Sequence, residues 1–194
     1  MSTDTSGPEK AVDTDSMNRE ELESQLEALE ERLSELEAKA EGPKKLSIIA
    51  TKGTLDMAYP PLILASTAAA FGWEVQVFHT FWGLDILHEK HSKNLKMSSV
   101  GNPNTPMPNM LAALPGMDRM TTKMMEKQIE KNNTATIEEL LETSLEMGVE
   151  FQACQMTIDL MGYDEDDFFD GVTTGVGAAT AIQDMADSDI QLFV

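Results

Sequence analysis

Cys154 is the only cysteine of the chain, and it lies in the stretch GVEFQACQMTIDLMG, residues 148–162. The segment 148–153 is typical of a β-strand, and the residues after the cysteine are typical of a helix. Cys154 is therefore predicted to lie at the junction of a strand and a helix. Free backbone N–H groups at such a junction favour the thiolate, which is the nucleophilic form of cysteine. The alternative is an inert, buried side chain, because cysteine is among the residues most often buried.

Four other residues could tune or line a site at Cys154: His79, Gln155, Gly53 and Thr54. His79 closes the predicted strand 74–80, and the two residues of the TKGTLD loop follow another predicted strand. The carboxyl ends of parallel strands meet at one edge of a sheet, and sites form there. His79 is therefore the best candidate for tuning the thiolate; the alternative is a hydrogen-bonded histidine of the core.

The elements that would position these residues alternate between strands and helices after Pro43. Four apolar segments are predicted to be strands, with a further short piece around Val172: 46–50, 74–80, 148–153 and 189–194. The predicted helices are an Ala-rich segment that starts or kinks at Pro60-Pro61 and the segments 117–130, 136–147, 155–162 and 175–187. Strands separated by helices imply an α/β domain, residues 44–194, with a parallel sheet and helices on both faces.

The first 41 residues differ from the rest in composition and in pattern. Residues 1–16 are polar, acidic and small, which predicts a disordered tail. In the segment 17–41 the leucines alternate at steps of four and three, which is the seam of a coiled-coil helix: Leu22, Leu26, Leu29, Leu33 and Leu36. Gly42-Pro43 ends this helix. Because an isolated helix of this size is marginal in water, the seam predicts self-association; the alternative is a solvated or locally packed helix.

The charge of the chain restricts the classes of function that it can have. A net charge of −20, from 34 acidic and 14 basic residues, argues against binding to nucleic acid, which draws on clustered Lys and Arg. Such an acidic surface also predicts salt-adapted solubility of the halophilic type. Residues 42–131 form a mildly basic island with 7 acidic and 10 basic residues, whereas residues 132–194 hold 14 acidic residues and no basic one.

Several features indicate where the protein works and what it binds. One cysteine cannot form an intramolecular disulfide, and no leader with a small-residue cleavage site is recognisable, so a cytoplasmic location is expected. The longest apolar runs, such as Pro60 to Trp73, fall short of the roughly 20 residues that cross a bilayer, so no membrane insertion is expected. No cofactor is expected either, because VTTGVGAAT and ATKGTLD both lack a complete nucleotide-binding pattern.

Three stretches carry a resemblance to a known family: ACQMTIDLMG, the segment from KKLSIIATKGTLD to FHTFWGLDIL, and the closing GVTTGVGAATAIQDMADSDIQLFV. Over residues 44–194 the chain resembles the DsrE/DsrF-like family, in particular an archaeal and bacterial subgroup of peroxiredoxin-like or sulfur-relay proteins. The resemblance implies a flavodoxin-like domain that forms trimers or hexamers, and a cysteine, here Cys154, that carries a persulfide. The implied partners are TusA-like and rhodanese-like sulfur-transfer proteins.

Persulfide chemistry is compatible with a single cysteine. Transfer needs an accessible nucleophile and a stabilised anion, because a partner's thiolate attacks the outer sulfur. A sulfur carrier or sulfurtransferase is therefore predicted. A thiol peroxidase would usually use a resolving cysteine, which the chain lacks. A third alternative is a non-catalytic assembly module in which Cys154 is inert.

A basic loop, ILHEKHSKNLK, holds the other two histidines, His88 and His91. Zinc accepts Cys and His ligands, but the neighbouring lysines would repel a cation, so no metal site is expected. Lys90, Lys93 and Lys96 could instead supply positive potential to a persulfide or dock an acidic partner. The alternative is a solvated basic loop.

Overall fold

The computed structural model describes residues 19–98 and 117–194, which include every predicted site residue. The predicted tail, residues 1–16, lies outside the described part of the chain. Backbone contacts divide the chain into two units, Met1–Gly42 and Pro43–Val194. The described part of the first unit is a helix, α1 (Arg19–Glu41), which ends at the Gly42-Pro43 pair.

Five parallel strands form the sheet of the second unit: β1 (Lys45–Ala50), β2 (Glu74–His79), β3 (Glu150–Cys154), β4 (Thr173–Val176) and β5 (Ile190–Phe193). Their order across the sheet is β4-β3-β2-β1-β5, and each neighbouring pair is parallel. All four predicted strands are present, and the short piece expected around Val172 is β4. The predicted fold class, an α/β flavodoxin-like parallel sheet, is therefore confirmed.

The helices that accompany these strands in the described residues are α2 (Leu55–Ala70), α3 (Met117–Lys131), α4 (Ile137–Glu146), α5 (Gln155–Met161) and α6 (Ala178–Ala186). A 3₁₀ helix, Phe81–Ile86, follows β2. Because α2 begins at Leu55, Pro60 and Pro61 lie inside the helix rather than at its start. No helix within 19–98 or 117–194 is both long enough and apolar enough to span a membrane.

Side-chain alternation along the strands produces two different faces of the sheet. His79 lies with Phe151 on the face that α2 covers, where the large apolar core is built. Phe78 and Cys154 lie on the other face, where they pack with Ala181 of α6. Because side chains alternate with a period of two, adjacent residues of one strand fall on opposite faces. This alternation decides which predicted site residues can meet.

Two glycines bring the turn after β2 against the loop after β1. A Cβ atom at Gly53 would overlap the carbonyl oxygen of Trp82, and a Cβ atom at Gly83 would overlap the carbonyl oxygen of Ala50. Both overlaps involve backbone atoms, which cannot rotate away as a side chain can. Glycine at these two positions therefore permits the close approach of the two segments.

Gly53→Ala is expected to lower the free energy of unfolding by about 2 kcal/mol, because an added methyl group in a filled contact displaces its neighbours. Gly177→Ala is the matched control, since a Cβ atom there would meet no atom within 4 Å. Urea unfolding of both variants measures the difference. If Gly53→Ala were as stable as the control, the loop after β1 and the turn after β2 could move apart without a loss of folding free energy.

Candidate functional site

Cys154 is the last residue of β3 and directly precedes α5. Its backbone is extended (φ −64°, ψ 113°), so the chain turns into the helix immediately after the cysteine. Only 3% of the residue is exposed, and its neighbours on this face of the sheet include Phe78, Val176 and Ala181. The predicted strand-to-helix junction is thus present, with the thiol at the carboxyl edge of the sheet.

Groups of three residues act on the pKa of the Cys154 thiol: Thr80, Met156 and Thr157. Burial alone raises the pKa of the thiol, but donors from the Thr157 hydroxyl, the Thr157 N–H, the Thr80 hydroxyl and the Met156 N–H outweigh it. The pKa of Cys154 is therefore held below its ordinary value of 9.0. Each donor stabilises the thiolate more than the thiol, because an anion is the stronger acceptor. The arrangement favours a nucleophilic thiolate in a nearly dry environment.

The buried side chain of Thr157 links the cysteine to the turn after β2. Its Oγ1 accepts a hydrogen bond from the N–H of Phe81 at 3.3 Å and lies 3.1 Å from Oγ1 of Thr80. Phe81 has a φ of 49°, a left-handed conformation that is uncommon for residues other than glycine. The strained turn aims the Phe81 N–H at the Thr157 oxygen, which holds the Thr157 side chain beside the turn after β2.

Thr80 and Thr157 are not among the site residues predicted from the sequence. A signal for Thr157 was available in its spacing, because the third residue of a helix faces the side chain of the residue before the helix. Thr80 carries no local signal, since its contact with Thr157 joins residues 77 positions apart. Only the pairing of β2 with β3 brings it to the site.

His79 lies on the opposite face of the sheet from Cys154. In the β2–β3 register it pairs with Ala153, whose side chain points away from that of Cys154. The imidazole is fully buried, its ring centre is 5.8 Å from that of Phe151, and its Nδ1 lies 3.2 Å from the carbonyl oxygen of Val77. Burial lowers the pKa of His79 to about 4, so the ring is neutral near pH 7. The structure does not bring this imidazole to the thiol.

Gln155, by contrast, lies beside Cys154 and connects two elements of the site. Its Oε1 accepts a hydrogen bond from the N–H of Gly175 at 2.9 Å, which ties the start of α5 to β4. Its Nε2 donates to Asp159 one helical turn further on, also at 2.9 Å. Gln155 therefore supports the backbone that carries the cysteine.

Gly53 and Thr54 lie in the loop between β1 and α2. Gly53 packs against the Trp82 backbone, in the same turn that carries Thr80 and Phe81. Thr54 precedes α2, and its Oγ1 is buried without a hydrogen-bond partner in the described part of the chain. These two residues border the turn next to the thiol rather than the sulfur itself.

The basic loop forms a hydrogen-bonded cluster of its own. The rings of His88 and His91 are stacked, with centres 3.8 Å apart. His91 Nδ1 donates to Asp85 Oδ1 at 2.7 Å, and the Tyr163 hydroxyl donates to the same oxygen at 2.8 Å. Burial, together with the Asp85 carboxylate, raises the pKa of Tyr163 to about 12. Within the described ranges, no group of three or more His, Cys, Asp or Glu side chains is placed to hold a metal ion.

Two lysines of this loop have acidic partners in the chain. Lys90 Nζ lies 3.4 Å from Asp167 Oδ1, and Lys93 Nζ lies 3.4 Å from Glu138 Oε1. Both lysines are well exposed, so these ion pairs contribute little to stability and leave the ammonium groups accessible to a partner. The carbonyl oxygen of Lys96 accepts the N–H of the first residue of α2.

Comparison with known proteins places this site in a family. A family model, that of the DsrE/DsrF/DrsH-like proteins, matches residues 42–193. The chain belongs to this family. The matched segment includes Cys154 and the three residues that lower the pKa of its thiol, Thr80, Met156 and Thr157.

The chain is 49% identical over 159 residues to the sulfur carrier protein DsrE2 of Allochromatium vinosum, and the alignment covers 78% of this chain and 98% of that protein. It is 31% identical over 159 residues to the uncharacterized protein YrkE of Bacillus subtilis, covering 79% of this chain and 99% of YrkE. Among solved structures, the YchN protein from E. coli superimposes with a TM-score of 0.43 at 13% identity, over 78% of this chain and 99% of YchN.

Proposed function

We propose that this chain is a sulfur carrier or sulfurtransferase that holds a persulfide on Cys154 and exchanges it with the thiols of partner proteins. The observation that carries the proposal is the position of Cys154 at the junction of β3 and α5, where Thr157, Thr80 and Met156 lower the pKa of the thiol despite its burial. The 49% identity to the sulfur carrier protein DsrE2 supports it independently. A stabilised thiolate serves both steps, because it is the nucleophile during loading and the leaving group during release.

Loading and release are two exchanges of the same kind. In loading, the Cys154 thiolate attacks a sulfane sulfur of a polysulfide; a new S–S bond forms, the S–S bond of the donor breaks, and the shortened polysulfide leaves as an anion. In release, the thiolate of a partner attacks the outer sulfur, and Cys154 leaves as a thiolate. The electrons balance without an added oxidant or reductant.

Transfer has to reach a sulfur that the single chain nearly covers. Cys154 is only 3% exposed, but the length of an S–S bond places the outer sulfur of a persulfide about 2 Å beyond Sγ. Four large apolar side chains are exposed on the two segments that form the site: Phe81, Trp82, Met156 and Leu160. Exposed apolar patches are typical of interaction surfaces. This patch is our proposed contact for a TusA-like or rhodanese-like partner.

Assembly and location complete the proposal. The chain would act as a homo-oligomer, a trimer or a hexamer, in the cytoplasm, where reducing conditions keep a single thiol free. Lys90, Lys93 and Lys96 would offer a second contact to an acidic partner, which the exposure of Lys90 and Lys93 permits.

A competing function, a non-catalytic assembly module, is favoured by one observation, the burial of Cys154.

Intact-mass spectrometry after exposure to polysulfide, or to thiosulfate plus a rhodanese, tests the proposal. We expect the native protein to gain one or more sulfur masses, and a reductant to remove them. The Cys154→Ser variant, which keeps the size of the side chain nearly unchanged, should gain none.

Other results would assign a different function. A thiol that takes up no sulfur and also resists alkylation in the native protein would favour the assembly module. Consumption of peroxide with an external reductant, without a stable sulfur adduct, would favour a thiol peroxidase.

A further inference from the structure

The apolar seam of α1 has two edges of different charge. Leu22 and Leu29 occupy heptad positions d, and Leu26 and Leu33 occupy positions a. The flanking e positions are all acidic, whereas the g positions are neutral or basic: Glu23, Glu30 and Glu37 at e, and Gln25 and Arg32 at g. The four leucines are 38% to 57% exposed, which leaves an apolar stripe along α1.

The charges of the two edges distinguish between the orientations of a second helix. In a parallel coiled coil, each g residue faces the e residue of the following heptad on the other helix. Arg32 would then face Glu37 of a second copy, and Gln25 would face Glu30 of a second copy, on both edges. In an antiparallel pair, e faces e, which would align the glutamates of the two chains against each other. Like charges in contact cost free energy, so the parallel orientation is favoured.

We propose that α1 binds α1 of a second copy of this chain as a parallel, in-register coiled coil, with Arg32 opposite Glu37 on both edges. Only in this arrangement does the acidic edge of one α1 helix face the neutral or basic edge of an identical helix. For this reason we assign the seam to a second copy of the chain. In the described part of the chain, Arg19 of α1 pairs with Glu23, whereas Arg32 pairs with no acidic side chain there. Its guanidinium is therefore available across the interface. This inference is independent of the sulfur chemistry at Cys154.

Disulfide crosslinking in the full-length chain tests the orientation. In the Cys154→Ala background, Leu22→Cys introduces the single thiol at the N-terminal end of the seam. A parallel, in-register pair brings the two copies of residue 22 together, whereas an antiparallel pair separates them by roughly 20 Å, from the helical rise over 14 residues. A disulfide needs Cα atoms within about 7 Å. Mild oxidation is expected to yield a linked dimer.

Charge exchange in the same background tests the register. Arg32→Glu and Glu37→Arg, each alone, place like charges on both edges, and we expect each to slow the crosslinking about fivefold. In an equimolar mixture of the two variants, the new glutamate of one chain faces the new arginine of the other, and the unchanged Arg32 faces the unchanged Glu37. Linked heterodimers should therefore form at the parental rate and show their mixed mass. Glu31→Arg is the matched control, because position f points away from the seam.

Each result bears directly on the proposal. A linked dimer that depends on these charges and is restored in the mixture supports the parallel, in-register pair. The absence of a linked dimer from the purified protein would overturn the parallel, in-register pair. Crosslinking at equal rates in the parent, Arg32→Glu and Glu37→Arg would overturn the proposed register, and failure of the mixture to recover would overturn the parallel orientation.

Discussion

Thr157→Val is expected to raise the pKa of the Cys154 thiol and to slow its alkylation at pH 7 about threefold to tenfold. Valine keeps the shape of threonine but lacks the hydroxyl that donates to the sulfur. Hydrogen bonds to charged groups contribute about 1.5 to 3 kcal/mol, and part of the loss in thiolate is offset because a more basic thiolate is more nucleophilic. A pH titration of the thiolate absorbance, together with alkylation rates, measures both quantities.

Thr157→Ser is the matched control for this effect, because serine retains the hydroxyl and removes only a methyl group. Valine also leaves the Phe81 N–H without its acceptor, so some loss of stability accompanies the change. The pKa is therefore compared under conditions in which both variants are folded, as judged by circular dichroism. Equal thiol pKa values in the valine and serine variants would mean that the hydroxyl does not stabilise the thiolate.

Acid is expected to destabilise the fold through His79. The pKa of this residue is about 4 in the folded chain and 6.5 in its ordinary state, because burial disfavours the charged ring. A lowered pKa means that the unfolded chain binds the proton more readily, so stability is complete above about pH 6.5 and is lost as the pH falls towards 4. The free energy of unfolding should fall by about 3 kcal/mol over this range on account of His79.

The His79→Leu variant isolates this contribution. Its carboxylates titrate as in the parent, so the difference between the two curves of stability against pH reports His79 alone. At neutral pH leucine removes the contact of Nδ1 with the Val77 carbonyl oxygen, whereas Nε2 of the buried ring has no hydrogen-bond partner to lose in the described part of the chain. Curves of the same slope between pH 7 and pH 4 would show that the histidine is accessible to protons in the folded state.

The strands could be predicted from the sequence because each is a short apolar run between polar turns. The predicted segments 46–50 and 74–80 differ from β1 and β2 by one residue at one end. The start of α2 was less predictable, because proline usually marks the first turn of a helix. Here the helix continues through both prolines, and Leu55, Ala58 and Leu62 bury its face in the core. Tertiary packing outweighs the loss of two backbone hydrogen bonds.

The site was predictable only in part. The position of Cys154 at a strand end follows from local pattern, and the carboxyl edge follows from the parallel sheet. The face on which each neighbouring residue lies depends on the register between strands, which a single strand end does not reveal. For that reason His79 shares the edge with Cys154 but not the face, whereas the residue after it, Thr80, contacts Thr157.

The hydrogen bonds that act on Cys154 come from two distant parts of the chain, the turn at Thr80 and the start of α5. Thr80 and Thr157 are 77 residues apart, so the full set of donors exists only after β2 and β3 have paired. An unfolded or half-made chain carries an ordinary thiol with a pKa near 9.0 and little thiolate at neutral pH. The lowered pKa of the single thiol is therefore a property of the completed tertiary structure, acquired when β2 and β3 have paired.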